Sequence, residues 1–176
     1  MDSPPLPPAP LVITAQLPAD VFAWADSLRR AHFPPERNKI RAHVTLFNSL
    51  PPSGEDEVRR LLARHSAAPP PPAQITAIMP LGGGTAFAIE SAALSAIHAD
   101  LVESFHGVLT AQDGARRKLH ITIQNKVSGA EAKALQADLA RDFRPRAFAF
   151  VALDLHRYRG GPWEDAGSWR FRGRRG

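Results

Sequence analysis

The chain has 176 residues, 44% of them hydrophobic, no cysteine and a formal net charge of +5. That length suits one domain, or two small lobes around a shared core, and the missing cysteines exclude disulfides and thiolate metal sites. No apolar run approaches the roughly 20 residues of a membrane span, and the opening Met1-Asp2-Ser3-Pro4-Pro5 has neither the basic nor the apolar region of a secretory signal, so a cytoplasmic monomer is expected.

In chain order, residues 1–10 read as a disordered Pro-rich leader, followed by Leu11–Leu17 as a strand. Val21, Trp24, Ala25 and Leu28 recur at helical spacing, and Pro34-Pro35 ends that helix. Ala42–Phe47 alternates as a strand. Ser53 is placed to cap a helix running to His65, with Val58, Leu61 and Leu62 inward. Pro69–Pro72 reads as a stiff connector. Gln74–Met79 and Thr85–Glu90 read as a hairpin about Gly82-Gly83-Gly84. The Gly triplet lacks the Lys-Ser/Thr that a phosphate-cradling loop needs after it. Leu94, Ile97, Leu101, Val102 and Phe105 form the apolar stripe of a helix, and Leu119–Gln124 is a strand. Ser128-Gly129-Ala130-Glu131 is a capping box opening a helix with Leu135, Leu139 and Phe143 on one side. Phe148–Tyr158 alternates as one long strand, Trp169–Arg172 as a short one, and 173–176 form a basic tail.

The halves on either side of the Pro run echo each other in element order. The expected fold is therefore α+β: a duplicated bilobal fold, two antiparallel sheets facing across a central cleft, and helices on the outer faces. Residues 11–172 form that single domain.

Two phrases give the echo chemical meaning. Ala42-His43-Val44-Thr45-Leu46-Phe47 and Leu119-His120-Ile121-Thr122-Ile123-Gln124 both read His, β-branched residue, Thr, aliphatic residue. Seven His and six Thr in random order would give about 0.24 His-x-Thr matches, so a pair on two strand patterns is a signal. On a strand the side-chain period is two, which puts each His beside its Thr and turns Val44 and Ile121 the other way. Two such strands can close on one substrate from opposite sides.

With these motifs the chain resembles the 2H phosphoesterase superfamily, in particular its 2′-5′ RNA ligase and cyclic phosphodiesterase branch. That family is defined by two His-x-Thr/Ser motifs on a bilobal α+β fold of about this size, and the resemblance runs from about Leu11 to Phe171. It implies that His43, Thr45, His120 and Thr122 are the signature residues. Relatives of the bacterial ligase type often carry an Arg soon after the second motif, where this chain has Gln124-Asn125-Lys126.

Opening a cyclic phosphodiester requires an activated water, a protonated leaving alkoxide and donors to the non-bridging oxygens. One neutral and one protonated imidazole meet the first two needs; Thr45 and Thr122 hydroxyls meet the third. The scheme needs neither metal nor cofactor, and it leaves open which His is the base. The expected substrates are 2′,3′-cyclic phosphates or 2′-5′ linkages on RNA ends or nucleotides. Lys126 and Arg41 are candidate phosphate cations, and Arg116, Arg117 and Lys118 add charge beside the second motif. Tyr158 and Phe87 are candidate base-stacking residues, with core packing as the alternative. Trp163 reads either as a loop residue at the cleft mouth or as surface. His32, His65, His98, His106 and His156 show no partner at metal-ligand spacing and read as ordinary. Rival readings are a non-catalytic RNA- or nucleotide-binding module of the same fold, a reversible 2′-5′ RNA ligase, and a hydrolase using the two His as metal ligands.

Overall fold

Two four-stranded antiparallel sheets carry the molecule. The computed structural model describes residues 2–115 and 118–174; Met1, Arg116, Arg117, Arg175 and Gly176 lie outside the described residues, and with them part of the basic segment before the second motif and of the basic tail. The elements are β1 (Leu11–Gln16), α1 (Ala19–His32), β2 (Val44–Leu50), α2 (Glu55–His65), β3 (Pro72–Leu81), β4 (Gly84–Glu90), α3 (Ala92–Ser104), α4 (Ala111–Gly114), β5 (His120–Gln124), α5 (Gly129–Ala140), β6 (Arg146–Ala149), β7 (Ala152–Arg157) and β8 (Glu164–Arg170). One sheet has the order β2-β1-β7-β8 and the other β5-β4-β3-β6. Each motif strand is thus the edge strand of its own sheet, and β2 and β5 come into contact. The duplicated α+β architecture is as expected.

Several boundaries differ from the sequence reading. The alternating run Phe148–Tyr158 is two strands in different sheets: β6 pairs with β3, and β7 pairs with β1. The crossing is visible in two successive amides, since Phe150 N donates to the Pro71 carbonyl and Val151 N to that of Gln16. Alternation survives the crossing because Phe150, fully buried, fills the core where the strand changes sheet. The C-terminal hairpin β7–β8 therefore completes the sheet begun by β1 and β2, so the two halves of the sequence are not the two lobes. Ser53 lies inside a single 3-10 turn, Pro52–Gly54, and caps nothing. The helix after it starts at Glu55, with Glu55, Asp56 and Glu57 facing the positive end of its dipole. Pro72 is the first residue of β3 rather than connector, and Phe143 lies beyond the end of α5. The expected cap at Ser128 forms, accepting from Glu131 N, and Ser91 caps α3 in the same way by accepting from Leu94 N.

The core is one cluster drawn from both sheets, with Phe47, Phe87 and Phe150 its largest fully buried side chains. The leader carries no helix or strand in residues 2–10, yet its end is tied down: Ala9 is buried, and the Pro10 carbonyl accepts from Tyr158 N. The short strand expected over Trp169–Arg172 is the end of β8, which stops at Arg170; Arg172, just past it, donates to Ser66 Oγ and the Ala63 carbonyl and so closes the end of α2.

Candidate active site

Helix α1 builds the first half of the site. Val21, Ala25 and Arg29 recur every fourth residue along its buried face. Asp26, one turn before Arg30, accepts the Ala42 amide at 3.0 Å, and Arg29 Nε donates to Asn38 Oδ1 at 2.8 Å. These two bonds hold the loop that delivers His43, the residue immediately before β2. His43 Nδ1 lies 2.8 Å from the Arg41 carbonyl. A carbonyl only accepts, so Nδ1 carries the proton and Nε2 is left as the reactive nitrogen.

The second half repeats this arrangement on β5. His120 Nδ1 lies 2.9 Å from the Lys118 carbonyl, again two residues back in the chain. Ile121 and Ile123 are fully buried, while His120 and Thr122 are half-buried on the opposite side. The backbones also match in a detail that the letters do not display. Thr45 pairs with Thr14, and the register then skips Leu46 before Phe47 meets Ile13. Likewise Thr122 pairs with Ala86, and the register skips Ile123 before Gln124 meets Thr85. Each motif strand has a bulge directly after its Thr, which sharpens the local twist where the site is built.

What surrounds the two histidines is not matched. Beside His43 a cavity of about 770 Å³ is lined by Thr14, Arg41, Asp154, His156, Trp163 and Asp165, among others. The Trp163 ring lies edge-on to His43 at 4.8 Å between centroids and tilted against His156 at 5.2 Å. His156 Nε2 lies 2.9 Å from Thr14 Oγ1, and its Nδ1 lies 3.1 Å from Asp165 Oδ1. Burial pushes the His43 imidazole down to about 4 against the opposing pull of its bond to the Arg41 carbonyl; the charges of Arg29, His156 and His120 push the same way as burial. Burial also raises the Asp154 carboxyl above its ordinary value, while the Ser168 hydroxyl and His156 oppose that rise.

A family model of the 2'-5' RNA ligase superfamily matches residues 17–162, well over half of the chain. The chain belongs to that superfamily. Its members are the 2H phosphoesterases, and the paired motifs lie within the matched span. Among solved structures, TT0787 of Thermus thermophilus is similar with a TM-score of 0.65 at 16% identity, over 94% of this chain and 100% of that one. LigT of E. coli complexed with 3'-AMP gives 0.60 at 18% identity, over 94% and 99%. LigT complexed with NADP+ gives 0.61 at 16% identity with the same coverage. At such identities the likeness is one of fold. No curated protein sequence matches significantly.

In this 2H phosphoesterase Arg41 and His43 line one cavity and the charge of His120 acts on His43, with Thr45 and Thr122 two positions along their strands from the two imidazoles, while Phe87, Tyr158 and Lys126 do not line that cavity. Phe87 is a correction: it is 1% exposed, packs on Trp24 and Phe143, and faces away from Thr122 with Ile121. A ring with no exposed face cannot stack on a base. Tyr158 is exposed beyond the end of β7 and does not line the cavity. Lys126 sits in a left-handed turn past the far end of β5, beside the β3–β4 turn. Lys126 is not among the residues that line the cavity beside His43. Sequence reasoning also passed over His156, Thr14, Asp165 and Arg29. His156 is two positions from Asp154 on an alternating strand, and Arg29 continues an apolar stripe; both were signals.

Proposed function

We propose that the protein is a metal-independent phosphodiesterase for 2′,3′-cyclic phosphate or 2′-5′ linkages of RNA ends or nucleotides. The observation that carries this reading is the duplicated His geometry: two imidazoles, each with Nδ1 spent on a backbone carbonyl two residues back, leaving Nε2 to move protons. His43, kept neutral at pH 7 by its surroundings, takes a proton from the attacking water at Nε2. As the new P–O bond forms and the bond to the leaving ribose oxygen breaks, protonated His120 gives its Nε2 proton to that oxygen. Thr45 and Thr122 hydroxyls donate to the non-bridging oxygens, where charge develops. In the direction of ligation the two His exchange roles. Hydrolysis and its reverse use the same four groups, so the carboxylate-rich shell of a metal hydrolase is not needed. Among the described residues no group of three or more His, Cys, Asp or Glu is arranged to hold a metal. E. coli LigT holds 3'-AMP, which supports a nucleotide phosphate as the ligand class.

The test is product analysis after incubation with 2′,3′-cyclic nucleotides, cyclic-phosphate RNA ends and 2′-5′ dinucleotides, with and without chelator. Turnover indifferent to chelator is expected, and His43→Ala and His120→Ala should each lower kcat at least about 10²-fold. Full activity in either variant overturns the proposal.

A further inference from the structure

The duplication stops one strand in from each motif. The neighbour of Thr45 on the next strand is Thr14, and beyond it Asp154 and Ser168. The neighbour of Thr122 is Ala86, and beyond it Met79. One sheet thus presents a polar row, Thr45-Thr14-Asp154-Ser168, where the other presents Thr122 followed by apolar side chains. The sheet itself tolerates Ala at the second position, as β4 demonstrates, so the hydroxyl of Thr14 is not there to make a strand. Thr14 is 3% exposed, and it lines the cavity beside His43.

We infer that Thr14 is a further anion-binding residue of this site, a third hydroxyl donor to a tetrahedral oxyanion, and that His156 held by Asp165 is the positioning residue that decides where its proton points. The Asp165 carboxylate only accepts, so His156 Nδ1 always carries the shared proton. In the neutral ring Nε2 is an acceptor and draws the Thr14 hydroxyl hydrogen towards itself. In the imidazolium Nε2–H donates to Thr14 Oγ1, and the hydroxyl hydrogen turns towards the cavity, where a phosphoryl oxygen can accept it. Protonating His156 therefore adds a donor to the site without moving the backbone. The charged groups around His156 are Asp165 on β8, Asp154 on its own strand and His43 before β2, with Lys39, Arg41 and Arg170 on the cavity wall. Arg157, next in sequence, is engaged instead by Glu55 and Glu164.

This inference rests on the phosphoesterase reading for its ligand class, but its test uses no turnover. Inorganic sulfate, whose charge is constant over the range, is titrated by NMR at one pH below and one above the titration of His156, which is followed by imidazole ¹⁵N shifts in the same samples. Wild type is expected to bind sulfate about five- to tenfold tighter than Thr14→Val at the lower pH and equally at the higher, the size of one charge-directed hydrogen bond. Titration of His43 and His120 is common to both proteins and cancels in the comparison. In a His156→Gln background the effect of Thr14→Val should be the same at both pH values. Thr14→Ser should keep the low-pH gain and Thr14→Ala should lose it, which decides the matter if the valine variant does not fold. Equal affinities at both pH values, or a difference that persists above the His156 titration, overturns the inference. A protein that shows the sulfate effect but turns over none of the substrates would retain this anion site and refute the proposed activity instead.

Discussion

His43 and His120 make the same hydrogen bond to the same relative carbonyl, and His43 lies beside a tryptophan ring and feels the charges of Arg29 and His156. Acid–base catalysis needs one imidazole of each kind, a state that two identical sites would populate well only near their shared pKa. In the proposed mechanism the environment, rather than the motif, assigns the role of base to His43. With its value pushed down to about 4, the acid limb of kcat/KM for the free enzyme should fall near pH 4, because activity is lost only when His43 protonates. A pH–rate profile checks this; a limb near 6.5 would place the base elsewhere. The same shift acts on stability. Between about 6.5 and about 4 the unfolded chain binds a proton at His43 that the folded chain refuses, so this contribution is complete above 6.5 and is lost as pH falls through that window. Phe87 shows the limit at this scale. An aromatic residue on a strand reads alike whether its face meets a ligand or the core, and the register alone separates the two.

Edge strands are the elements that carry the chemistry, and each is held from outside its own sheet. Asp113 on α4 accepts the amides of Asn48 and Ser49, covering the open side of β2. Arg29 Nη1 donates to the Thr122 carbonyl on β5. Both contacts block further strand pairing. The start of β4 approaches β5 still more closely: a Cβ on Gly84 would sit 2.0 Å from the Gln124 carbonyl oxygen and 2.7 Å from Asn125 Cα, both backbone atoms that cannot yield alone. Gly84→Ala is expected to cost about 2–3 kcal/mol in urea unfolding and to raise amide exchange at Ile123 and Gln124. Unchanged stability would mean that the hairpin shifts freely. The hairpin, the helices after Pro18 and Ser128 and both motif strands were legible in local pattern. The bulge after each Thr was not, because a bulge is a relation between two strands, and one strand's letters do not contain it.

Across the whole molecule a buried arginine links the two motifs. Arg29, 5% exposed, reaches Asn38 before the first motif and the Thr122 carbonyl in the second, with its guanidinium 4.2 Å from the Phe33 ring centroid. Arg29→Met keeps the apolar stem and removes the bridge. We expect a loss of about 1–3 kcal/mol in urea unfolding, since two half-buried acceptors lose a charged donor, and a fall in kcat larger than any rise in KM. Removing that positive charge should also move the acid limb upward from about 4, because Arg29 helps keep His43 neutral. An unmoved limb would show that the Arg29 charge has no part in setting it. Element types, inward faces and the four motif side chains follow from the letters alone, because side-chain periodicity is a property of each segment taken separately. Which sheet β7 joins, which aromatic residues are core, and that His43 gains His156 and Trp163 as neighbours do not. Those are relations between residues far apart in the chain, 142 positions in the case of Thr14 and His156. They depend on backbone pairing and burial that exist only once the two sheets have closed on a common core.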